Sequence, residues 1–331
     1  MSAVTYVLPV ACSGGPAEPE LTTYLRALAS HVDLVVVDGS PPEVFAVHHE
    51  NWSALGRHVP PAVETLNGKV GGVLTGLRLA RYDTVVVADD DVRWTPAGLR
   101  AAVSRLAGAD VLIPQNYYAP SPWHATYDTA RTLVHRALGG DMPGTLVLRR
   151  DALGPEGYRG DVLFENLELV RTVKARGGRI AVAADLFVAR RPPTVSHLVS
   201  QRVRQAYDEF ARPARLIAAL GVVPLIAVSA RRRSGGALAL ALGVAAAAEY
   251  GRRRDGGRAV FPATASLLAP LWGLERGICA WLAIADRARG GVRYRGLRLR
   301  TAATSVRTLR ATAAVEASRR EPTAPVTGVG S

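Results

Sequence analysis

Three consecutive acids, Asp89, Asp90 and Asp91, directly follow the apolar run TVVVA. Adjacent carboxylates repel one another, so such a triplet persists only when a cation neutralises it or water solvates it. Because alternate side chains of an extended chain point the same way, Asp89 and Asp91 could share one divalent cation. A cation there would bind a diphosphate and stabilise it as a leaving group. A solvated acidic turn is the alternative, but the strand-like run before the triplet favours the metal site.

Asp38, in the segment VVVDGS, and Lys69, in the segment NGKVGG, also stand next to apolar runs. The Asp38 carboxylate could accept hydrogen bonds from a base or a ribose, or it could form a turn with Gly39 and Ser40. Lys69 opens a helical pattern, where a cation and free backbone amides could bind an anion. The alternative for Lys69 is a surface lysine.

Two pairs of polar residues lie at helical spacing further along the chain. Glu165 and Glu168 are one turn apart in FENLEL, where they could serve the helix dipole or deprotonate an acceptor hydroxyl. Gln201 and Arg204 share one helical face in QRVRQ. The planar guanidinium of Arg204 could bind a diphosphate, or the segment could be a solvated basic helix.

The first two-thirds of the chain alternates short apolar runs with helical patterns. The predicted strands are Thr5–Val10, Leu34–Val37, Thr84–Ala88, Val111–Ile113, Gly144–Arg150 and Ile180–Val188, and the predicted helices are Leu21–Ala29, Lys69–Tyr82, Pro96–Ala107, Phe164–Arg176 and Val199–Phe210. Continuously apolar strands separated by helices predict an α/β fold whose mainly parallel sheet is covered by helices on both faces. Ligands of such sheets bind beyond the carboxyl ends of the strands, where Asp38 and the acidic triplet fall.

The basic excess of the chain lies in its last third. Residues 1–211 hold 21 Lys and Arg against 22 Asp and Glu, whereas residues 212–310 hold 18 Arg against four acids. The arginines flank apolar segments and aromatic residues are few, which favours an anionic membrane surface over nucleic acid as the partner.

Four apolar segments fill this basic region: Ala214–Ala230, Gly235–Ala248, Ala259–Leu274 and Gly277–Ala285. Each is shorter than the ~20 residues that span a bilayer, so we expect one interfacial helix and a two-helix hairpin, with a buried Ala-rich helical subdomain as the alternative. The predicted domains are therefore a catalytic domain at 1–211, membrane-associated helices at 212–310 and a disordered tail at 311–331. Cys12 and Cys279 are expected to be free thiols, and because residues near the N-terminus show no signal-peptide pattern, we expect the first domain to stay in the cytoplasm.

Taken in order, six segments resemble the glycosyltransferases of family 2, which have the GT-A fold. The similarity covers roughly residues 4–210 and is greatest to membrane-associated members of the ceramide-glucosyltransferase-like or bacterial polysaccharide type. TYVLPV resembles the first strand, VVVDGS the nucleoside-contacting second strand, NGKVGGVLTGLRLA the helix before the metal motif, VVVADDDV the DXD motif, FENLEL the segment of the catalytic base, and QRVRQ the QxxRW motif.

The resemblance implies a role for each matching residue. Asp89 and Asp91 would hold Mn²⁺ or Mg²⁺, and the residues expected to bind the nucleotide sugar are Pro9, Asp38, Lys69, Asp90, Gln201 and Arg204. The family's usual base is an Asp at the place where this chain has Asn166, so we predict that Glu165 is the base, with Glu168 and Asp161 in reserve. The motif's Trp is replaced by Gln205.

We therefore predict an inverting, metal-dependent glycosyltransferase at the cytoplasmic membrane face. It would move a sugar from a UDP- or GDP-type nucleotide sugar to a hydroxyl of a lipid, lipid-linked or glycan acceptor. One alternative is a sugar-nucleotidyltransferase, which needs a basic residue in a Gly-rich loop after the first strand; the segment ACSGGPAEPE has none. The other is a degenerate domain that acts as a membrane scaffold, an interpretation that draws on Asn166.

Overall fold

A computed structural model of the chain describes residues 3–12, 14–294 and 296–320. The strands are β1 Val4–Val10, β2 Asp33–Asp38, β3 Arg57–Val59, β4 Thr84–Ala88, β5 Val92–Arg93, β6 Val111–Tyr118, β7 Thr145–Arg149, β8 Ile180–Arg190, β9 Val292–Tyr294 and β10 Leu297–Leu299. The helices are α1 Pro19–Ala29, α2 Pro42–Trp52, α3 Gly68–Leu79, α4 Pro96–Leu106, α5 Trp123–Ala137, α6 Glu165–Ala175, α7 Val195–Tyr207, α8 Pro213–Arg231, α9 Gly236–Arg253, α10 Ala263–Ala288 and α11 Val306–Arg320.

Eight of the strands form one mixed, mostly parallel sheet in the order β3-β2-β1-β4-β7-β6-β8-β5. The first four strands in this order are parallel, and β7 and β5 run against their neighbours. Parallel strands joined by helices bring their carboxyl ends to one edge, which is where ligands of such sheets bind. The predicted α/β fold is confirmed.

Alternate residues of the central strands enter two different apolar cores. Tyr6 and Leu8 pack with α1 and α4 on one face, and Val7 packs with α3 and α6 on the other. Because both faces are covered, the strands are apolar throughout, and this explains the continuous apolar runs of the sequence.

Helix α3 lies unusually close to β1 because two glycines, one turn apart, face that strand. A Cβ atom at Gly72 would lie 2.8 Å from the Cβ of Pro9, and a Cβ at Gly76 would collide with Val7. Asn67 caps the helix by accepting a hydrogen bond from the Lys69 amide at 3.3 Å. The glycines of NGKVGGVLTGLRLA thus fix the position of Lys69 over the strand ends.

The C-terminal third differs from the prediction in three ways. Residues 263–288 form one 26-residue helix where two segments were expected, since Gly277 lies inside the helix and packs against α8. Residues 292–304 return to the first two-thirds of the chain: Leu163 and Phe164 donate backbone hydrogen bonds to Thr301 and Ala302 at 3.0 and 2.8 Å. Residues 306–320 are helical, so the predicted disordered tail is wrong for 311–320; residues 321–331 lie outside the described residues.

Helices α8 and α10 are long and apolar enough to cross a membrane. Helix α10 also packs on α5 and α7 through a buried face, whereas α8 is mostly exposed. Large apolar side chains on the outer surface of α8 to α10 are exposed, namely Ile217, Leu225, Val228, Leu238, Leu242, Leu267, Leu271, Leu274, Ile278, Trp281 and Leu282. This surface gives weak support to membrane association.

Candidate active site

A cleft of about 480 Å³ opens at the carboxyl ends of the parallel strands. Its walls come from the ends of β1, β2 and β4, the start of α3 and α6, and one side of α7. The polar side chains that line it are Lys69, Asp89, Asp90, Asp91, Glu165, Asn166, Arg190, His197, Gln201, Arg204, Gln205, Asp208 and Tyr294. Most of the predicted site residues therefore share one cavity.

Two cationic side chains, Lys69 and Arg190, form ion pairs with the acidic triplet. Lys69 forms ion pairs with Asp89 and, at 2.6 Å, with Glu165. Arg190, at the end of β8, pairs with Asp91 at 2.6 Å. Burial favours the neutral amine of Lys69, but the carboxylates of Asp89 and Glu165 overcome this effect and raise its pKa above the usual range. The repulsion expected within the triplet is thus offset by side chains from α3 and β8.

The residues of the triplet fit a divalent cation. Asp89 and Asp91 have side chains that are 21% and 25% exposed, so both carboxylates can be reached from the cleft. The Oδ1 atom of Asp91 is buried and has no hydrogen-bond partner among the described residues. Such an orphaned carboxylate oxygen is a suitable ligand atom for a hard cation.

Asp90 differs from its two neighbours. Desolvation in the cleft, together with the charges of Asp91 and Asp89, raises its pKa to about 6. No ion pair links Asp90 to a residue that the structure describes. Asp90 lines the cleft as predicted, without a cation of its own.

Asp38 does not reach the cleft. Its side chain is fully buried, and its carboxylate accepts hydrogen bonds from the Ser40 amide at 2.9 Å, from His48 at 2.6 Å and from His58 at 3.1 Å. Burial opposes ionisation, yet the hydrogen bonds from His58, Ser40 and His48 hold the pKa of Asp38 well below its usual range. The expected direct contact of Asp38 with a nucleoside is therefore corrected to support of the strand end.

Asp38, His48 and His58 also have the composition of a metal site. However, Nε2 of His48 accepts a hydrogen bond from the Ala17 amide at 2.8 Å, so its Nδ1 carries the proton donated to Asp38. His58 uses its second nitrogen in a 3.0 Å contact with His49. The ring nitrogens are all engaged, and the group forms a closed hydrogen-bond network beneath the cleft.

The three residues named from FENLEL have separate positions. Glu165 lines the cleft and pairs with Lys69. Asn166 also lines it, and its side-chain amide donates to the Pro143 carbonyl at 2.9 Å. Glu168 is fully buried and accepts a hydrogen bond from the Thr304 amide at 2.5 Å, which corrects its predicted catalytic role to anchorage of the C-terminal segment.

The remaining predicted site residues are Asp161, which was the reserve candidate for the base, and Gln201 and Arg204 of the segment QRVRQ. Asp161 pairs with Arg159 on the surface at 2.5 Å and is absent from the cleft lining. Gln201 contacts His197, and both line the cleft. The guanidinium of Arg204 lies over the ring of Tyr294, 5.6 Å from its centroid, and forms no ion pair with any residue that the structure describes.

Sequence reasoning missed Arg190, Asp208 and Tyr294. Arg190 is the last residue of β8 and lies two residues beyond the predicted strand, and Tyr294 belongs to a region interpreted as membrane-associated. The hydroxyl of Tyr294 donates to the side-chain carbonyl of Asn67 at 3.1 Å, which connects β9 to the start of α3. Asp208 stands one turn beyond Arg204, a spacing that could have drawn attention to it.

A mostly parallel sheet whose strand ends carry paired aspartates, a lysine and an arginine in one cleft is typical of an α/β enzyme that binds an anionic ligand at the carboxyl ends of its strands. Residues 22–208 match the model of the family described as "Glycosyltransferase like family 2". Since this match covers more than half of the chain, the protein belongs to glycosyltransferase family 2, as the resemblance predicted. The comparison with curated proteins finds no match.

Several solved structures are similar to the chain. The mannosyltransferase PcManGT from Pyrobaculum calidifontis, in complex with GDP-Man and Mn²⁺, is 19% identical with a TM-score of 0.46, over 95% of this chain and 80% of that chain. TarS from S. aureus is 16% identical with a TM-score of 0.41, over 57% and 37% of the two chains. Glucosyl-3-phosphoglycerate synthase from Mycobacterium tuberculosis is 19% identical with a TM-score of 0.41, over 59% and 74%.

Proposed function

We propose that the protein is an inverting glycosyltransferase that moves a sugar from a nucleoside-diphosphate sugar to a hydroxyl acceptor. The observation that carries the proposal is the single cleft that combines Asp89, Asp91, Lys69 and Arg204 at the carboxyl ends of parallel strands. Two carboxylates and two cations around one cavity match the needs of a diphosphate that is bound with a metal ion.

The donor would lie across the strand ends. The backbone and apolar side chains at the ends of β1 and β2, including Pro9 and Gly39, offer a flat wall for a nucleobase. Arg204 has no ion pair with a described residue, so its guanidinium is available for a phosphate. Gln201, on the same side of α7, would hold the pyrophosphate or the sugar by hydrogen bonds.

Asp89 and Asp91 would hold Mn²⁺ or Mg²⁺. When bound, the ion supplies positive charge that stabilises the diphosphate as it leaves. Lys69 and Arg190 form ion pairs with the same carboxylates. Lys69 would then turn from Asp89 towards Glu165 or a phosphate, because its amine already contacts both carboxylates.

The reaction also needs a carboxylate that accepts the proton of the acceptor hydroxyl. Asn166 cannot do this, because its neutral amide is engaged as a donor. Beyond the acidic triplet, Glu165 and Asp208 are the carboxylates of described residues that line the cleft. The resemblance to family 2 predicts Glu165 for this role, and Asp208 is the second candidate in the cleft.

We also propose that the outer surface of α8 to α10 embeds in a membrane and that the acceptor is a lipid or lipid-linked molecule. The exposed apolar side chains of these helices support this, as do the arginines that follow α8 and end α9. The buried face of α10 packs on α5 and α7, so the cleft would lie close to the membrane surface.

Thermal unfolding of the full chain in detergent tests the donor site. UDP or GDP with Mn²⁺ should raise the melting temperature of the wild type, since a ligand at 100 times its Kd stabilises by about 2.7 kcal/mol. Asp91→Asn should lose this shift. Asp185→Asn is the matched control, because Asp185 pairs with Arg105 on the surface.

Two results would count against the proposal. If neither nucleotide shifts the melting temperature of the wild type with Mn²⁺ present, the protein does not bind a nucleoside diphosphate. If the shift is the same in Asp91→Asn as in Asp185→Asn, the metal role of the triplet is wrong.

A further inference from the structure

Most acids that line the cleft are engaged by a cation. Lys69 holds Asp89 and Glu165, and Arg190 holds Asp91. Asp208 lines the same cleft, but its carboxylate makes no hydrogen bond or ion pair with a residue that the structure describes. Its Oδ1 atom is, moreover, shielded from solvent. An unpartnered, desolvated carboxylate is costly to a fold, so its retention at a cleft points to a role in the chemistry.

The position of Asp208 is fixed by its backbone. Its amide closes α7 with hydrogen bonds to the carbonyls of Arg204 and Ala206, and a short 3-10 turn, Asp208–Ala211, follows. The side chain is therefore held on the wall that carries Arg204, on the rigid end of a helix. Its placement does not depend on a flexible loop.

Four charged groups face Asp208 from the elements around it. Glu165 lies on α6, Arg276 on α10, Glu209 is the next residue, and Arg204 is one turn earlier on α7. Burial has the largest effect on Asp208, and the charge of Glu165 adds to it; Arg276 and Arg204 act in the opposite direction. The sum raises the pKa of Asp208 to about 8.

The carboxylate of Glu165, unlike that of Asp208, is paired with a cation. Its carboxylate is bound to the Lys69 amine at 2.6 Å, so accepting a proton would break an ion pair. A group that accepts a proton in a transition state works best when its pKa lies near the operating pH and when it is free to bond the hydroxyl. Asp208 meets both conditions.

We propose that Asp208 is the base that takes the proton of the acceptor hydroxyl in this glycosyl transfer. The inference rests on the function proposed above. The acceptor oxygen forms a bond to the anomeric carbon, and the bond from that carbon to the diphosphate oxygen breaks. The electron pair of the broken bond leaves with the nucleoside diphosphate, and the hydroxyl proton moves to Asp208. Glu165 then serves to position Lys69.

The test measures release of nucleoside diphosphate from UDP-glucose and GDP-mannose with Mn²⁺, with water as the acceptor hydroxyl. The variants are Asp208→Asn, Asp208→Glu and Glu165→Gln, in the full chain, with Asp185→Asn as the surface control. Nucleotide binding is measured in parallel from melting temperatures with UDP or GDP, and each variant is also followed from pH 5.5 to 9.

Asp208→Asn should lower the rate about 100-fold or more, the range expected for loss of a general base. Its nucleotide-induced melting shift should match that of the wild type, and Asp208→Glu should recover part of the rate. The wild-type rate should rise with pH up to about 8 and then level off, because the ionised carboxylate is the active form. Asp208→Asn should lose this rise.

A rate and pH profile in Asp208→Asn equal to those of the wild type would overturn the proposal. So would loss of the pH-dependent rise in Glu165→Gln while Asp208→Asn keeps it. Failure of the proposed function gives a different result, since UDP and GDP would then leave the wild-type melting temperature unchanged.

Discussion

The sheet domain, residues 3–211, and the helical region, residues 212–288, differ in how many of their large apolar side chains are exposed. Among the described residues, twelve large exposed hydrophobic side chains lie in the helical region and seven in the much longer sheet domain. The sheet domain buries its apolar residues in two cores, one on each face of the sheet. The comparison teaches that the helical region leaves far more of its large apolar side chains uncovered, for its length, than the sheet domain does, and uncovered apolar surface of this kind is typical of an interaction site.

The same two regions also meet in a buried charge network. Arg202 of α7 pairs with Asp128 of α5 at 2.5 Å and with Glu275 of α10 at 2.7 Å. The hydroxyl of Tyr127 donates to Glu275 as well, at 2.5 Å. The helical region is thus attached by specific polar contacts as well as by apolar packing, and its position over the catalytic domain is fixed.

The largest effect on the free energy of unfolding is expected for a substitution at the contact between the two regions. Arg202→Met should lower the free energy of unfolding by about 3 kcal/mol, because it leaves the buried carboxylate of Asp128 short of a cation. Urea unfolding in detergent measures the loss. Arg105→Met is the control, since its pair with Asp185 is exposed and should contribute about 0–1 kcal/mol. Equal losses in the two variants would contradict a specific polar junction.

The same network has a predicted pH dependence. Burial opposes ionisation of Asp128, but the charges of Arg131 and Arg202 lower its pKa below the usual value. A lowered pKa contributes stability above the unfolded-state value of about 4 and loses it as the pH falls through the folded-state value. The wild type should therefore lose stability below about pH 4, and Arg202→Met should show a smaller acid-dependent loss.

An intermediate effect on the free energy of unfolding is expected for a substitution inside the sheet domain. Gly76→Ala should cost about 1–3 kcal/mol, because the new methyl group would collide with Val7 and push α3 away from β1. The control is Gly68→Ala in the same helix, where a Cβ meets no atom within 4 Å. Urea unfolding of both variants makes the comparison, and a Gly76→Ala protein as stable as Gly68→Ala would refute the close packing.

The smallest effect on stability is expected on the outer surface of the helical region. Leu267, which is 77% exposed, should tolerate Leu267→Ser within about 0.5 kcal/mol. Binding to anionic vesicles should nevertheless weaken about tenfold, since an apolar side chain is removed from lipid. Leu66→Ser, at an exposed position of the sheet domain, should leave vesicle binding unchanged. Equal binding by both variants would mean that this surface does not contact lipid.

The sequence predicts the sheet domain well because its signals are local. Thr84–Ala88 is a strand as predicted, and the other predicted strands and helices agree to within four residues at each end, except that β6 continues five residues beyond the predicted Ile113. The short β3 and β5 were missed, since two or three residues give no periodic pattern. Helices α2 and α5 were missed as well; in α2 the polar run at 48–51 interrupts the apolar period.

Site residues that are neighbours in the sequence were predicted. Site residues that only the fold brings together were missed. The chemistry of Asp89 and Asp91 follows from their spacing after a strand. The order of the sheet, by contrast, decides that Arg190 reaches Asp91, although the two are 99 positions apart. The sequence predicts that Asp38 and Glu168 lie in the cleft. The fold buries both side chains, so neither lines it.

By itself, the sequence determined the α/β fold and the acidic triplet, since these depend on apolar periodicity and on neighbouring residues, and its motifs carried the resemblance to the family. Only the tertiary structure decided which acids are neutralised by a cation and which are left free. The charge state of a carboxylate depends on desolvation and on charges that the fold brings near it. For that reason Asp208, unremarked in the sequence, emerges beside Asp90 as an acid of the cleft that has no ion pair with a described residue.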